Sequence, residues 1–446
     1  MKNIYSIPIL ILLVWCTLAN ADNRRGRTVT GEWVRIERKH THYSVTIDYR
    51  MDASPIAIGA EYMRLIQEIA PEFEEIADQY LKDLQPLAAL GVVPPYAVTL
   101  KNSKDILPQL AHRYREELAG MAGQVSGGGT DLAGDRRLSK NEMIALGLLP
   151  DVLRSYSCTA ISFWGENTHS GKTITGRNLD WLNGQDGGLN RLHAVTTIRQ
   201  GKRSLTLVGF LGSLGVISAV NDDGVFAAIL DSPLFVQMPG FEGKRSYYLD
   251  LRYALEEYQT AEDVAAFMIE PSRRYSFNHN ILISDMTGSM VVENFQGGER
   301  KIRYAGDKMN SGIRWPSPDS IAAVNSFVLA GMPDNHTPIP YNTGRWKVLA
   351  DLATEMSRPV DLKALHQIMN FQEGTDFTSH IYRHVEHHAD HPTGSLPVIT
   401  MQQVIYDSHS KELQAYFVQA NARPAEPVLE TIPLQLERTT KKDLAK

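Results

Sequence analysis

An α+β plan of layered sheets covered by helices is what this 446-residue sequence predicts, and three observations carry it. The first third repeats apolar residues at the helical spacing of three and four. Beyond Cys158 the period changes to two. Strands, helices and strands then follow in blocks rather than in βαβ alternation, with no internal repeat. Composition says what is excluded: with 43% hydrophobic and 22% charged residues the chain is ordinary globular material, neither disordered, collagenous nor coiled coil. A formal charge of −6 gives no electrostatic reason to expect nucleic acid or an anionic membrane surface as a partner.

Residues 1–21 read as a signal peptide, with Lys2 as the basic start, an apolar run over 7–15 and the small-residue site Ala19-Asn20-Ala21. The run is shorter than the roughly 20 residues a bilayer span needs. Cleavage after Ala21, export and no stable membrane span are expected: a secreted or periplasmic location, or a lysosomal or extracellular one in a eukaryote. Next, 54–84 shows helical spacing from Ile58 through Tyr62, Leu65, Ile69 and Phe73 to Tyr80. Ser54 sits at the N-cap, Pro55 at the first helical position, and Pro71 kinks or splits the run. Helical stretches at 107–122 and 140–153 flank Ser126-Gly127-Gly128-Gly129-Thr130, which reads as a flexible exposed loop. The N-terminal third is therefore expected to be mainly helical.

After Cys158, β-rich runs at 159–164, 172–181, 192–199, 204–210, 216–220 and 225–230 are separated by Gly, Asn or Asp turns and predict an antiparallel sheet. Helices follow at 247–258 and 262–268, the second starting at Thr260. Then come a hairpin over 281–294, helices at 344–357 and 361–371, and a last hairpin of 400–407 with 413–419.

Only two cysteines occur, and Cys16 leaves with the signal peptide. An exported chain with Cys158 alone cannot form an internal disulfide, so a buried apolar filler, an intermolecular pair or a nucleophile are the readings left. Its position is informative. Cys158 opens the sheet-rich part behind the polar lead-in Arg154-Ser155-Tyr156-Ser157. A thiol there can attack the Ser157 carbonyl and, after hydrolysis of the thioester, leave Cys158 as a new N-terminus. Its α-amine, with a pKa of about 7.7–8.0, then serves as a general base at neutral pH.

Ser157-Cys158-Thr159 followed by Gly176-Arg177-Asn178-Leu179-Asp180-Trp181 resembles the N-terminal-nucleophile cysteine amide hydrolases. That family includes choloylglycine hydrolases, penicillin V acylases, acid ceramidase, N-acylethanolamine acid amidase and isopenicillin N acyltransferases. The spacing from Cys158 to Arg177 is slightly longer than usual there. Asn221-Asp222-Asp223-Gly224 resembles the family's Asn-Glu-x-Gly turn, and Asp231-Ser232-Pro233 stands where bile salt hydrolases have Asn. Val324-Asn325-Ser326 is similar to the element supplying an oxyanion-hole amide, Asn342-Thr343-Gly344-Arg345-Trp346 to the one carrying a second active-site arginine. Upstream, 117–122 resembles a Glu-Leu-x-Gly-Ile-Ala stretch of the prosegment. The resemblance spans roughly residues 50–420 and implies a four-layer αββα sandwich, with a helical prosegment over 22–157 and a catalytic chain over 158–446.

The resemblance implies catalytic roles for Cys158, Arg177, Asp180, Asn325 and Arg345, and oxyanion or substrate contacts for Asn221, Asp231 and Trp181. Arg177 beside the thiol should favour the thiolate, Asp180 should hold the released amine, and Asn325 with a backbone N–H near Asp231 should stabilise the oxyanion. Arg177 and Asp180, three apart on a strand, also fit a surface pair. Phe163, Trp164 and Trp181 either line an acyl pocket or pack the core. The expected substrate is an N-acylated amine with an apolar acyl group, of lipid-amide, ceramide, bile-salt or penicillin-like type. No cofactor is expected, the two cleaved chains should stay together, and a homo-oligomer is open. Hydrolysis and acyl transfer use the same residues.

A rival rests on His380, His384, His387, His388 and His391, five of 14 histidines within twelve residues. On a helix the last four would share one face, a set of zinc or copper ligand type. Neither H-E-x-x-H nor H-x-x-E-H is present. A solvated polar loop and an exported metal-binding protein with an inert Cys158 are the two readings of this run.

Overall fold

A computed structural model describes residues 26–49, 53–89, 91, 93–153, 157–184, 187–233, 240–355, 359–372, 380–382, 398–419 and 427–434. The signal peptide and His384 to His391 lie outside the described residues.

The described residues open with strands, in a third of the chain expected to be mainly helical. β1 (Thr28–Thr30), β2 (Val34–Arg38) and β3 (Tyr43–Tyr49) form an antiparallel meander whose alternate residues are buried. The stretch before Cys158 is thus mixed, strands and helices. Helix α1 (Pro55–Ile69) begins with Pro55 as read, although Ser54 makes no side-chain cap bond. Pro71 splits the pattern: α1 ends at Ala70 and α2 (Phe73–Asp83) follows. The short α3 (Gln85–Ala89) and α4 (Tyr96–Ile106) come next, and the 107–122 run resolves into a 3-10 turn at Leu107–Gln109 and α5 (His112–Ala122). Gly120 explains the Glu-Leu-x-Gly stretch, because a Cβ there would sit 2.1 Å from the Ile56 carbonyl oxygen of α1. Helices α1 and α5 touch backbone to backbone.

Ser139 and Glu142 form a reciprocal capping box at the start of α6 (Lys140–Gly147), and the short α7 (Leu149–Val152) leads toward the cysteine. The glycine-rich loop before α6 is pinned rather than loose. Gly127 N–H donates to the Leu138 carbonyl, Lys140 N–H to that of Gly128, and Glu74 accepts from the N–H groups of Ser126 and Leu138.

Beyond Cys158 the predicted strands recur within a residue or two. They are β4 (Ser157–Phe163), β5 (Ile174–Leu182), β6 (His193–Gln200), β7 (Arg203–Phe210), β8 (Ser218–Asn221) and β9 (Phe226–Asp231). Helices α8 (Tyr247–Glu257) and α9 (Ala261–Met268) follow, then β10 (His279–Asp285), β11 (Gly288–Asn294), β12 (Arg300–Tyr304) and β13 (Ser320–Ala323). Helices α10 (Pro340–Glu355) and α11 (Leu362–Met369) precede β14 (Val398–Asp407), β15 (Glu412–Phe417) and β16 (Glu430–Ile432).

Among the described residues these strands build two sheets, ten strands in the order β1-β2-β3-β6-β7-β8-β9-β10-β11-β12 and six in the order β13-β4-β5-β14-β15-β16. The sheets lie face to face. Thr175 of β5 bonds Ser284 of β10 at 2.9 Å, and Arg177 reaches the Ile229 carbonyl of β9. Helices α8 and α9 cover the large sheet; α10 and α11 cover the small one. This is the expected four-layer αββα sandwich. One pairing departs from the antiparallel expectation: β3 runs parallel to β6, Tyr43 opposite Ala194 through Tyr49 opposite Gln200, as a long crossover connection allows. No helix among the described residues is long and apolar enough to cross a membrane.

Candidate active site

Side-chain alternation on β4 and β5 sorts the site residues. Cys158 pairs with Leu179 and Ser157 with Asp180, so Cys158 and Arg177 point between the sheets while Asn178 points out, to the Met369 and Ile381 carbonyls near α11. Arg177 Nη2 donates to Cys158 Sγ at 3.4 Å and to the Ile229 carbonyl at 3.1 Å. The arginine has no exposure and the cysteine 1%, so the surface-pair reading of Arg177 and Asp180 falls. Arg177 pulls the thiol down as expected, yet burial is the larger effect and the Cys158 thiol stands above its ordinary value in the uncut chain. Burial also lowers Arg177. Asp180 lies on the opposite face, level with Ser157, where Thr400 Oγ1 donates to it at 2.7 Å. A bulge between Thr400 and Gln402 re-aims the partner strand at that point.

The loop after β13 and the start of α10 close the other side. Asn325 Oδ1 accepts the Cys158 backbone N–H at 2.6 Å and Arg345 Nη2 at 2.9 Å; its Nδ2 donates to the Asp231 carbonyl at 2.6 Å. Two donors facing one oxygen determine the amide's orientation. Arg345 is fully buried: Nη1 donates to the Cys158 carbonyl at 2.5 Å and to Thr159 Oγ1 at 2.9 Å, Nη2 also to Asn342 Oδ1 at 2.9 Å. Its guanidinium lies 3.9 Å from the Tyr341 ring centre. Arg345 is therefore a strut for the Cys158 backbone, not an exposed charge at a helix start.

A mainly apolar cavity opens over Cys158 and Arg177. Trp181 lines it as expected, its Nε1 donating to Tyr80 Oη at 2.7 Å. The prosegment contributes much of the wall through Phe73, Tyr80 and Met143. Phe163 and Trp164 do not line it. Phe163 alternates to the outer face and packs with Ile161 and Ala322 under the helices; Trp164 sits at the rim of the main core.

Cys158, Arg177, Asp180, Asp231, Asn325, Arg345 and Trp181 thus come together. Asn221 does not. It accepts the Val225 N–H and donates to the Leu255 and Tyr258 carbonyls at the end of α8. From Val225 to Asp231 is about 20 Å along the strand at ~3.3 Å per residue, so Asn221 secures a helix end rather than a substrate. Sequence reasoning missed Asn342 as a site partner, although it quoted the motif holding it. Among the described residues no three metal-ligating side chains gather; of the histidine run only His380 and none of the other four is described.

The sequence profile of a family described as acyl-coenzyme A:6-aminopenicillanic acid acyl-transferase matches residues 166–412. No curated protein matches significantly. Among solved structures, the chain is similar to a Caenorhabditis elegans N-acylethanolamine-hydrolyzing acid amidase ortholog, at 13% identity and a TM-score of 0.39 over 57% of this chain and 96% of that one. A conjugated bile acid hydrolase from Clostridium perfringens aligns at 15% identity and a TM-score of 0.35, over 63% and 97%. Penicillin V acylase from Agrobacterium tumefaciens aligns at 13% and 0.36, over 62% and 86%.

Proposed function

The chain belongs to the acyl-coenzyme A:6-aminopenicillanic acid acyl-transferase family, and on that premise we propose an exported, self-processing cysteine amidase that hydrolyses N-acylated amines with an apolar acyl group. One observation carries the reading: a buried guanidinium 3.4 Å from a buried thiol at the floor of an apolar cavity.

In self-cleavage, Cys158 Sγ attacks the Ser157 carbonyl carbon and the bond to the Cys158 nitrogen breaks. That nitrogen takes up the thiol proton, and water then hydrolyses the thioester to a Ser157 carboxylate and a free thiol. In turnover the α-amine accepts the thiol proton, Sγ attacks the substrate amide, and the amine product leaves with that proton. Water, activated by the same α-amine, releases the acid. Arg177 Nε and Nη1, which have no hydrogen-bond partner among the described residues, are donors available to the polarised carbonyl. Asp180 stands level with the nitrogen that becomes the amine. Pairing of β3 with β6 supports lasting association of the pieces.

The family's description favours a second reading, transfer of the acyl group to an amine instead of water, by the same thioester. Export away from cytosolic acyl-CoA favours hydrolysis. Intact-mass measurement of purified protein tests the proposal: fragments of about 15 and 32 kDa, in proportion to 49.8 kDa for the whole, and an acyl adduct on the larger one with a reactive N-acyl amide. An uncut but active chain sinks self-processing. A product amide formed only when an acceptor amine is added moves the assignment to acyl transfer.

A further inference from the structure

The segment leading into the cysteine is fastened seven residues upstream. Asp151, 2% exposed, lies against the start of α8, where its carboxylate accepts from Ser246 Oγ and, at 3.0 Å, from the Tyr247 N–H. Ser246 Oγ in turn accepts the Leu249 N–H at 2.9 Å. The first N–H groups of a helix lack partners within it and carry its positive end, so a carboxylate from the prosegment completes this helix start. Pro150 is held as well. The Tyr247 hydroxyl lies 2.7 Å from its carbonyl oxygen and 2.8 Å from Asp231 Oδ1. The Tyr247 ring stacks on His279 with centres 4.0 Å apart and is 1% exposed, which leaves its hydroxyl no room to swing away. His279 pairs across the strands with Asp231. Ser246, the N-cap of α8, and Tyr247, its first residue, therefore grip Asp151 and Pro150, and Tyr247 also touches the end of the strand that borders the thiol.

We propose that Asp151 and Tyr247 form a clamp that presents the Ser157 carbonyl to the Cys158 thiol for self-cleavage. Asp151 is a positioning residue, and the proposal rests on the self-processing reading above. From Asp151 to Cys158 the chain can span at most about 25 Å at ~3.6 Å per residue, whereas productive attack needs the reacting atoms within about 3–3.5 Å. An anchor at the near end shortens the length of chain between fixed point and thiol to seven residues and removes most of the unproductive arrangements. The clamp bears on the cut, not on turnover, because Asp151 touches neither the thiol nor the cavity.

The test follows purified full-length chain through its cut and then measures turnover per cut molecule. Asp151→Ala is expected to slow the first-order cut at least tenfold while leaving kcat per cut site within twofold of wild type. Asp151→Asn, which keeps an acceptor for the Tyr247 N–H, is expected to restore part of the rate. The same substitution in a Cys158→Ala background reads the melting temperature of the uncut fold. A wild-type cutting rate in folded Asp151→Ala overturns the clamp alone, as does a parallel fall of kcat and cutting rate. Wild-type protein that stays uncut overturns the self-processing reading and the clamp together.

Discussion

The backbone N–H of Cys158 donates to Asn325 Oδ1 at 2.6 Å across 167 residues of sequence. The same Asn325 gives its Nδ2 to the Asp231 carbonyl, so both ends of the amide are engaged in the uncut chain. The nitrogen that cutting would free is held beforehand, and breaking its bond to Ser157 leaves the contact in place. Asn325 was expected only as an oxyanion donor. Here it holds the Cys158 nitrogen, the amine of the proposed cut, and the second N–H of its Nδ2 is the one that would serve substrate while the first stays on the Asp231 carbonyl.

Asn325→Ala should therefore slow both the cut and the turnover. In cut, folded protein kcat is expected to fall about 100- to 1,000-fold with little change in KM, the signature of a lost transition-state donor. Asn325→Asp keeps the acceptor for Cys158 but sets an oxygen against the Asp231 carbonyl, and should also cut slowly. Wild-type kcat in Asn325→Ala would move the oxyanion donor elsewhere.

Arg177 works against the effect of burial on the thiol. Arg177→Met should push the midpoint of Cys158 alkylation by iodoacetamide to higher pH in the cut enzyme, and the thiolate limb of kcat/KM with it. An unmoved midpoint removes Arg177 as the thiolate's partner. Cys158→Ser should lose nearly all turnover, since a hydroxyl lacks the thiol's acidity and polarisability.

The parts of the chain before and after Cys158 share a buried ion pair. Arg252 of α8 forks onto Glu117 of α5 at 2.6 and 3.1 Å and also binds Glu256 at 2.8 Å. Glu117→Ala leaves a guanidinium that is 1% exposed with Glu256 as its remaining carboxylate and should cost at most about 3–5 kcal/mol, the figure for a fully unpaired buried charge, read as a lower denaturant midpoint. A loss below about 1 kcal/mol would show that water reaches the pair.

His193 is buried neutral between Val418 and Gln402, its pKa lowered to about 3 by burial. Its unfolded value is near 6.5, so the unfolded chain gains a proton the native one refuses. The stability it contributes is present above about pH 6.5 and is lost as pH falls toward 3, at roughly 1.4 kcal/mol per pH unit. His193→Gln should flatten unfolding free energy against pH by about that slope between pH 6 and 4. Equal slopes in both proteins would mean His193 is charged in the fold.

Chelation should leave turnover and melting temperature unchanged if the histidine run is a solvated loop. Stoichiometric zinc in protein purified without an affinity tag would revive the metal-binding rival.

Legibility followed how local each signal was. The strands after Cys158 announce themselves by alternation and turn residues, and Pro55 and Pro71 bound a helix by covalent geometry alone. The opening meander carried the same signal in Val34 and Ile36 and in Tyr43, Val45 and Ile47, but in runs so short that the longer helical pattern behind them dominated. The Cys158, Arg177 and Asn325 cluster was legible because one cysteine focused the search. The role of Asn221 was not, because a turn motif looks the same whether it faces substrate or a helix end. Asp151 and Tyr247 meet across 96 residues, and no local pattern encodes such a meeting.

The parallel pairing of β3 with β6, together with the reach from Cys158 to Arg345 across 187 residues, imposes an order in time. A ribosome adding about 5–20 residues per second exposes Cys158 some ten to forty seconds before Arg345 exists to hold its carbonyl. β3 finds β2 and then β6 early in that interval, while the Cys158 carbonyl still lacks its guanidinium partner. The proposed self-cleavage would then act as a completion signal, since a chain able to cut would be one in which the helix carrying Arg345 has already docked.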